Sequence, residues 1–242
     1  MKVILNGAGG RMGTVLRDLA ERTGKFQVVA NVDPFANKEG FYAGLGEFAG
    51  EADCIFDFSN HACTAELMAY AVSRKLPVVV ATTGHTPEEL ACIRKAAGSI
   101  PVFHSGNMSV GIALLVKLAR QTAAMFPDAD VEIIERHHNQ KLDVPSGTAL
   151  MLAKAVQDSR PDSQLLVGRH ENGKRTKQEI GIHSLRMGNT VGVHEVIVNT
   201  GSQIITLKHE AQDRGLFAEG AVTAGSFLIE KQPGLYTMDD IV

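Results

Sequence analysis

Short apolar runs alternate with longer amphipathic stretches from the N-terminus to about Asn107. The runs are bounded by turn residues, which is typical of buried strands, and the stretches between them carry apolar residues at helical spacing. Strands are predicted at residues 3–5, 28–32, 54–58, 77–81 and 101–103. Helices are predicted at 11–22 and 62–73 and from Thr86-Pro87 onward. This alternation predicts an N-terminal Rossmann-like, doubly wound parallel sheet.

The pattern changes after Asn107. A strongly apolar segment predicts a helix over 110–125 that Pro127 ends, followed by a strand over 131–134 and a helix over 149–156. Three strand-like runs then follow closely, at 180–185, 191–199 and 203–209, and their short connections predict antiparallel pairing. Segment 162–177 is interpreted as a polar loop, and a last helix is predicted over 216–231. We therefore expect a second α+β domain with a mixed or antiparallel sheet over 109–214, and a first domain formed by 1–108 and 215–242.

Composition and charge narrow the class of protein. Of the 242 residues, 44% are hydrophobic and 21% charged, which is typical of a globular protein with a substantial core. The formal net charge of −3 gives no reason to expect nucleic acid or an anionic membrane as a partner. No apolar run approaches the roughly 20 residues that span a bilayer, and the first residues lack a signal-peptide pattern. The three cysteines have neither an even count nor metal-ligand spacing. These features predict a cytoplasmic protein with reduced thiols.

A glycine-rich turn, Asn6-Gly7-Ala8-Gly9-Gly10-Arg11-Met12-Gly13, follows the first predicted strand and opens the first predicted helix. Glycines there allow a tight turn and let backbone N–H groups approach a pyrophosphate, which the positive end of the helix dipole attracts. The strict G-x-G-x-x-G spacing is not met, and a strand-to-helix turn without a ligand is the alternative. The position of the turn favours a dinucleotide site.

Asp33 ends the second predicted strand, about 20 residues beyond the turn, where a carboxylate accepts hydrogen bonds from a ribose 2′-OH. Such a carboxylate repels a 2′-phosphate, and Pro34 rather than a basic residue follows it. The hypothesis is therefore NADH preference or use of both NADH and NADPH, with a turn-forming role for Asp33 as the alternative. Thr82-Thr83-Gly84 and Ser105-Gly106-Asn107 follow predicted strands at the sheet edge that binds ligands, although turn chemistry explains such sequences equally well.

The segment from Glu135 to Thr148 concentrates chemically reactive side chains. Histidine is the side chain type best suited to proton transfer at neutral pH, so His137 and His138 are candidates for it, and Lys141 offers a compact cation for a carboxylate. Ser146-Gly147-Thr148 opens a predicted helix, whose N–H groups and hydroxyls form a second anion site. The segment is suited to a dicarboxylate that receives a hydride and a proton. A metal site at the two histidines and a solvated polar loop are the alternatives.

This segment resembles the signature of the 4-hydroxy-tetrahydrodipicolinate (dihydrodipicolinate) reductase family. The matching residues are His137-His138, Lys141, Asp143 and Pro145-Ser146-Gly147-Thr148-Ala149. The similarity continues, in order along nearly the whole chain, at Gly7 to Gly13, Phe58-Ser59, Thr82-Thr83-Gly84, Asn107 with Ser109-Val110-Gly111, and Gly234 to Met238. The fourteen residues from Glu135 to Thr148 discriminate much better than the glycine turn does.

The resemblance implies an NADH- or NADPH-dependent oxidoreductase of lysine and diaminopimelate biosynthesis, and a homotetramer assembled through the second-domain sheet. The first domain would bind the dinucleotide, and the second would bind substrate. It implies His137 as the proton donor and Lys141 as its assistant. No metal is expected, because no Cys or acidic residue has a recognisable ligand spacing to the two histidines. Substrate-binding residues would be His138, Ser146, Gly147, Thr148 and Arg214. Cofactor-binding residues would be Gly7, Ala8, Gly9, Gly10, Arg11, Met12, Asp33, Ala81, Thr82, Thr83, Ser105, Gly106, Asn107 and Met108.

Two rival functions are compatible with parts of the sequence. Another two-domain nicotinamide dehydrogenase would share the glycine turn, but the segment from His137 to Thr148 argues against it. A non-catalytic dinucleotide sensor of the same fold would need neither His137 nor Lys141. The sequence also leaves open whether His137 or water delivers the final proton.

Overall fold

The computed structural model describes residues 1–36 and 38–242. The chain divides into two compact units. Unit 1 comprises Met1–Ser109 and Arg214–Ile241, and unit 2 comprises Val110–Asp213 with Val242. No helix in the described part of the chain combines the length and apolar character that crossing a membrane requires.

The described residues form twelve strands and six α-helices. The strands are β1 Lys2–Asn6, β2 Gln27–Val32, β3 Phe41–Tyr42, β4 Cys54–Asp57, β5 Val78–Val80, β6 Pro101–His104, β7 Asp130–His137, β8 Gln164–Val167, β9 Glu179–Arg186, β10 Gly192–Asn199, β11 Ile204–Ala211 and β12 Gly234–Tyr236. The helices are α1 Arg11–Thr23, α2 Thr64–Arg74, α3 Pro87–Ala97, α4 Val110–Met125, α5 Gly147–Ser159 and α6 Gly215–Leu228.

Unit 1 is built on a seven-stranded sheet, ordered β12-β6-β5-β4-β1-β2-β3, in which every neighbouring pair is parallel. Both faces of the sheet are covered, because Ile55 packs into a core shared with α2 and α3, whereas Phe56 lies against Gly225 of α6. A Cβ at Gly225 would lie 2.5 Å from the Phe56 ring, so this close packing requires glycine. The predicted doubly wound parallel sheet is confirmed.

Unit 2 is built on a five-stranded mixed sheet, ordered β11-β10-β7-β9-β8. Helices α4 and α5 pack together on one face, where Val131, Ile133 and Val196 join their apolar side chains in a continuous core. Strand β10 pairs antiparallel with β7 and β11, while β7, β9 and β8 run parallel. The α+β class with a mixed sheet is confirmed.

Two expectations about unit 2 were wrong. Strand β9 does not pair with β10, the next strand in the sequence. It pairs in parallel with β7, on the edge of β7 opposite to β10. Segment 162–177 is not all loop, since Gln164–Val167 forms the edge strand β8. The first difference arises because pairing with a distant strand buries Ile180 and Ile182 against α4 and α5, which local turn signals do not report. The second arises because β8 is a short and largely exposed edge strand.

Strand β7 also extends three residues beyond its predicted end at residue 134, to His137. Alternation along the strand places Glu135 and His137 on the same face as Val131 and Ile133, and all four are buried. Two polar side chains are thereby carried onto the face that packs against the helices.

Candidate functional site

In unit 1 the glycine-rich turn is held against the end of β2 by backbone hydrogen bonds. The N–H groups of Gly7 and Ala8 both donate to the Val32 carbonyl, at 2.9 and 3.1 Å. Gly7 has φ +83°, and a Cβ there would lie 2.4 Å from the Phe58 carbonyl oxygen. A Cβ at Gly13 would lie 2.4 Å from the Ala8 carbonyl oxygen. These two glycines therefore allow the turn to lie tightly between β1 and α1.

Asp33 joins the turn to the end of β2. One of its carboxylate oxygens accepts from Gly9 N–H and the other from Phe35 N–H, both at 2.9 Å. Each oxygen keeps a second lone pair for a further donor. Gly10 is the N-cap residue of α1, and the first turn of that helix carries no acidic side chain. No side-chain charge therefore offsets the positive end of the helix dipole, where the N–H groups of Arg11 and Met12 lie.

A buried carboxylate that the sequence pattern did not reveal links three strand ends beside the turn. Asp57, at the end of β4, accepts hydrogen bonds from Asn6 at 2.8 Å, Ser59 at 2.6 Å and Thr82 at 2.7 Å. Its position within an apolar run was the available signal. The hydroxyl hydrogen of Thr82 is thus donated to Asp57, so this side chain could act towards a cofactor only as an acceptor.

The remaining predicted cofactor residues form two further turns of unit 1. Ala81 N–H donates to the Asp57 carbonyl at 3.0 Å, and the exposed Thr83 lies near Gly106. The Ser105 hydroxyl donates to the Asn107 carbonyl at 2.7 Å, which closes the turn after β6. The next residue along the chain, Met108, is buried.

In unit 2 a fully buried carboxylate holds a histidine. Glu135 Oε2 lies 2.5 Å from His137 Nδ1, and Arg186 of β9 donates to both oxygens of Glu135 at 2.9 Å. The N–H of Ser146 donates to Oε1 at 3.2 Å. Burial alone would raise the pKa of Glu135, but its hydrogen bonds from Arg186, His137 and Ser146 outweigh burial and lower the pKa to about 2.

The ionised Glu135 determines the tautomer of His137. A carboxylate only accepts hydrogen bonds, so His137 Nδ1 must carry a proton, and Nε2 is the nitrogen free to gain or lose one. Burial lowers the pKa of His137, Glu135 raises it, and the charges of Lys141 and Arg186 lower it further, with a net decrease. His137 is thereby a weakly basic group with its exchangeable proton at a defined atom.

Space around His137 is provided by Gly192, at the start of β10. A Cβ at that position would lie 3.2 Å from His137 Nε2, tighter than an ordinary contact. The His194 ring lies edge-on to the His137 ring, with centroids 5.1 Å apart. Neither residue was predicted, because both lie on a strand distant in sequence from β7.

The loop between β7 and α5 brings the predicted lysine and the helix start to this site. Lys141 forms an ion pair with Asp143 at 2.8 Å, and its charge acts on the pKa of His137. Ser146 caps α5 by accepting the N–H of Ala149 at 3.2 Å, and Gly147 is exposed at the helix start. The helix end therefore offers N–H groups for an anion.

The structure thus places His137 and Ser146 against the Glu135 carboxylate in unit 2, and Lys141 lies near enough for its charge to lower the pKa of His137. His138, Gly147 and Thr148 lie on the same loop and helix start. Arg214 lies in unit 1, immediately before α6. Glu135, Arg186, His194 and Gly192 are additional site residues. Within 1–36 and 38–242, no group of three or more His, Cys, Asp or Glu side chains is arranged to hold a metal ion.

Comparisons with known proteins agree over the whole chain. Residues 1–108 match the family model described as "Dihydrodipicolinate reductase, N-terminus", and residues 111–242 match "Dihydrodipicolinate reductase, C-terminus". Proteins named 4-hydroxy-tetrahydrodipicolinate reductase from Caldanaerobacter subterraneus subsp. tengcongensis and Clostridium novyi are 44% and 42% identical to this chain. Each alignment covers 100% of this chain and 98% of the relative.

Solved structures give the same picture. The dipicolinate-bound dihydrodipicolinate reductase from Paenisporosarcina sp. TG-14 aligns with a TM-score of 0.81 and 26% identity, covering 100% of this chain and 99% of that one. An amine dehydrogenase from Mycobacterium smegmatis aligns with a TM-score of 0.65 at 11% identity, over 99% and 95% of the two chains, and shares the fold alone.

Proposed function

The chain belongs to the dihydrodipicolinate reductase family, and from that membership we propose how its residues reduce 4-hydroxy-tetrahydrodipicolinate to tetrahydrodipicolinate. It is an oxidoreductase of lysine and diaminopimelate biosynthesis that uses NADH or NADPH. The observation that carries the residue assignment is the buried Glu135–His137 pair beside the capped start of α5.

Unit 1 is suited to a dinucleotide. The pyrophosphate would lie at the N–H groups of Arg11 and Met12, since those of Gly7, Ala8, Gly9 and Gly10 are already bonded within the turn or to β2 and Asp33. The free lone pairs of Asp33 would accept the ribose hydroxyls. When bound, the reduced nicotinamide supplies the hydride.

Unit 2 is suited to the substrate and the proton. The reaction replaces the substrate hydroxyl by hydrogen: one hydride is gained and hydroxide leaves, which with one proton gives water. We assign that proton to His137 Nε2, since Nδ1 is held by Glu135. Lys141 would leave Asp143 to bind one substrate carboxylate, and the N–H groups at the start of α5, with Ser146 and Thr148, would hold the other. His138 and Arg214 are assigned to substrate by the family resemblance.

The function is tested by following loss of NADH, and then of NADPH, absorbance with purified protein and substrate made from pyruvate and aspartate semialdehyde by the preceding synthase. Oxidation that depends on the synthase product is expected, with NADH at least as effective as NADPH. Cofactor binding without oxidation would favour the sensor alternative, and would remove the role given to His137.

A Gly10→Val variant should weaken NADH binding, by about 10-fold or more, because the side chain would stand between α1 and the pyrophosphate. The backbone at Gly10 is extended, and a Cβ would lie 3.3 Å from Gly7 O, a tight contact that a shift of a few tenths of an ångström relieves, so folding should be preserved. NADH affinity would be measured by fluorescence titration. Gly46→Val is the matched control, since nothing lies within 4 Å of a Cβ there. Equal affinities in the two variants would contradict the site.

A Gly192→Ala variant should lower kcat by about 10-fold, because displacing a catalytic group by less than 1 Å is costly. The new methyl group would press on His137 Nε2, only 3.2 Å away from a Cβ at this position. NADH affinity should be unchanged. Gly173→Ala is the control, since a Cβ there meets nothing within 4 Å. An unchanged kcat in Gly192→Ala would show that the position of His137 Nε2 beside Gly192 is not important for the reaction.

We also propose a homotetramer assembled through the face of the second sheet opposite α4 and α5. That face carries partly exposed Leu185 and Ile204 among ion pairs such as Arg136–Glu195 and His183–Glu132. Sedimentation analysis should give four chains per particle.

We assign the enzyme to the cytoplasm, consistent with three free cysteines and with relatives that are bacterial metabolic enzymes.

A further inference from the structure

His194 is a buried histidine in unit 2 to which the assigned chemistry gives no role. It lies on β10, where the register places it directly between Glu135 of β7 and His209 of β11. Only 4% of the residue is exposed. One ring nitrogen, Nε2, lies 3.2 Å from Ser146 Oγ, and the other, Nδ1, has no hydrogen-bond partner in the described chain. A buried polar ring with one unpaired nitrogen is uncommon in a folded protein and calls for an explanation.

The hydrogen-bond inventory of Ser146 determines what that function is. A serine hydroxyl has two acceptor lone pairs and one donor hydrogen. One lone pair accepts the N–H of Ala149, as the cap of α5. Between Ser146 and His194, either the serine donates to Nε2 or the ring donates from Nε2 to the serine. The first arrangement would leave a buried Nδ1–H donor without an acceptor, whereas the second leaves only an unused lone pair, the less costly defect.

We propose that His194 is a positioning residue of the substrate site: its Nε2–H donates to Ser146 Oγ, and so obliges Ser146 to present its own hydroxyl hydrogen to a substrate carboxylate. Both lone pairs of the hydroxyl are then occupied, and it acts only as a donor. The start of α5 thereby becomes a purely hydrogen-donating surface, which accepts an anion and rejects a neutral group that needs an acceptor. This inference rests on the proposed substrate-binding role of α5.

The surroundings keep His194 in the neutral form that this arrangement requires. Burial lowers the pKa of His194, the nearby His137 lowers it further, and despite the opposing effect of Glu135 the pKa falls to about 4. The other charged or titratable groups facing the ring are His209 and Lys141, which also lower its pKa. His194 therefore stays uncharged at neutral pH, and its single ring proton can be located by experiment.

The first experiment locates that proton. Long-range ¹H–¹⁵N spectra of the full chain labelled with ¹⁵N-histidine distinguish a protonated ring nitrogen from a bare one, and His194→Gln identifies the His194 signals. We expect a protonated Nε2 and a bare Nδ1. The reverse pattern would overturn the proposal, whatever the activity of the enzyme.

The second experiment measures binding of dipicolinate by calorimetry, together with KM and kcat. His194→Met, which cannot donate, and Ser146→Ala should each weaken dipicolinate binding and raise KM by about 10-fold, with a smaller change in kcat. The double variant should lose no more than either single variant, because both changes act on the same hydroxyl contact: one removes the hydroxyl and the other removes the donor that orients it. His194→Gln, whose amide can donate from a similar position, should stay within about 3-fold of the unaltered enzyme.

Other outcomes identify which idea has failed. The role of His194 would be overturned if the fold-losses in dipicolinate affinity of the two single variants multiplied in the double variant. It would also be overturned if His194→Met bound dipicolinate with normal affinity. Equal losses in His194→Met and His194→Gln, accompanied by lowered melting temperatures, would mean that the ring only fills space. If the unaltered protein bound no dipicolinate, the proposed substrate class itself would be wrong, and so would the carboxylate contact of Ser146.

Discussion

Replacing His137 by glutamine should lower kcat by about 10²- to 10⁴-fold, the usual contribution of a positioned acid or base. Glutamine is polar and similar in size, but it cannot carry the exchangeable proton that we place on Nε2. Affinity for NADH should be unchanged, because the dinucleotide is assigned to unit 1. The measurement is steady-state kinetics with NADH and the synthase-derived substrate. His170→Gln is the matched control, since His170 is exposed on a loop of unit 2.

The pH dependence of the unaltered enzyme provides a second test of His137. Burial lowers the pKa of this histidine, so its acid form is lost at a lower pH than in a free peptide. If His137 donates the proton, kcat/KM should fall as pH rises through that lowered pKa, and His137→Gln should lack this limb. A pH profile that is the same in both proteins would assign the proton to water or to another group.

Replacing Glu135 by glutamine should destabilise the protein by about 3 kcal/mol at pH 7, the equivalent of its pKa shift from 4.5 to about 2. The variant leaves the Arg186 guanidinium, which is 17% exposed, without its carboxylate partner. The lowered pKa means that this stabilisation is fully present above pH 4.5 and is lost as pH falls towards 2. Urea unfolding of both proteins at pH 7 and pH 3 should show the difference shrinking at the lower pH.

The same substitution should change catalysis in a defined direction. Because the Glu135 carboxylate raises the pKa of His137, its removal should move the alkaline limb of kcat/KM to lower pH. The loss of an acceptor fixed against Nδ1 should also reduce kcat, since the histidine could then adopt the wrong tautomer. Glu171→Gln is the control, because Glu171 is exposed on a loop of unit 2. A Glu135→Gln variant with wild-type stability and pH profile would contradict both roles.

Local patterns in the sequence predicted the elements well. The alternation of apolar runs and helical stretches placed β1, β2, β4, β5 and β6 within a residue or two of their bounds, and the helix over 110–125 coincides with α4. The family signature identified the segment that carries His137, Lys141 and Ser146. These features are local, because a strand, a helix cap or a glycine turn depends mainly on the residues next to it.

The prediction failed where distant segments compete for the same position. The short connection between β9 and β10 suggested a hairpin, but the structure inserts β7 between them. The predicted strand over 131–134 stops short of His137 because Glu135 and His137 are polar, although a carboxylate in register with buried Val131 and Ile133 is a signal for a paired group. Segment 162–177 looked like a loop, because edge strand β8 is short and largely exposed.

The sequence by itself determined the α/β class, the glycine turn, the Asp33 position and the loop that bears His137 and Lys141. Each of these features depends mainly on residues that are neighbours in the sequence. Only the tertiary structure decided that Glu135 would be ionised by Arg186, that His137 would carry its exchangeable proton on Nε2, and that His194 would reach Ser146. These contacts join β7, β9, β10 and α5. They depend on strand order and register, and a shift of one residue in the register of β7, β9 or β10 would turn the side chains of that strand to the other face of the sheet.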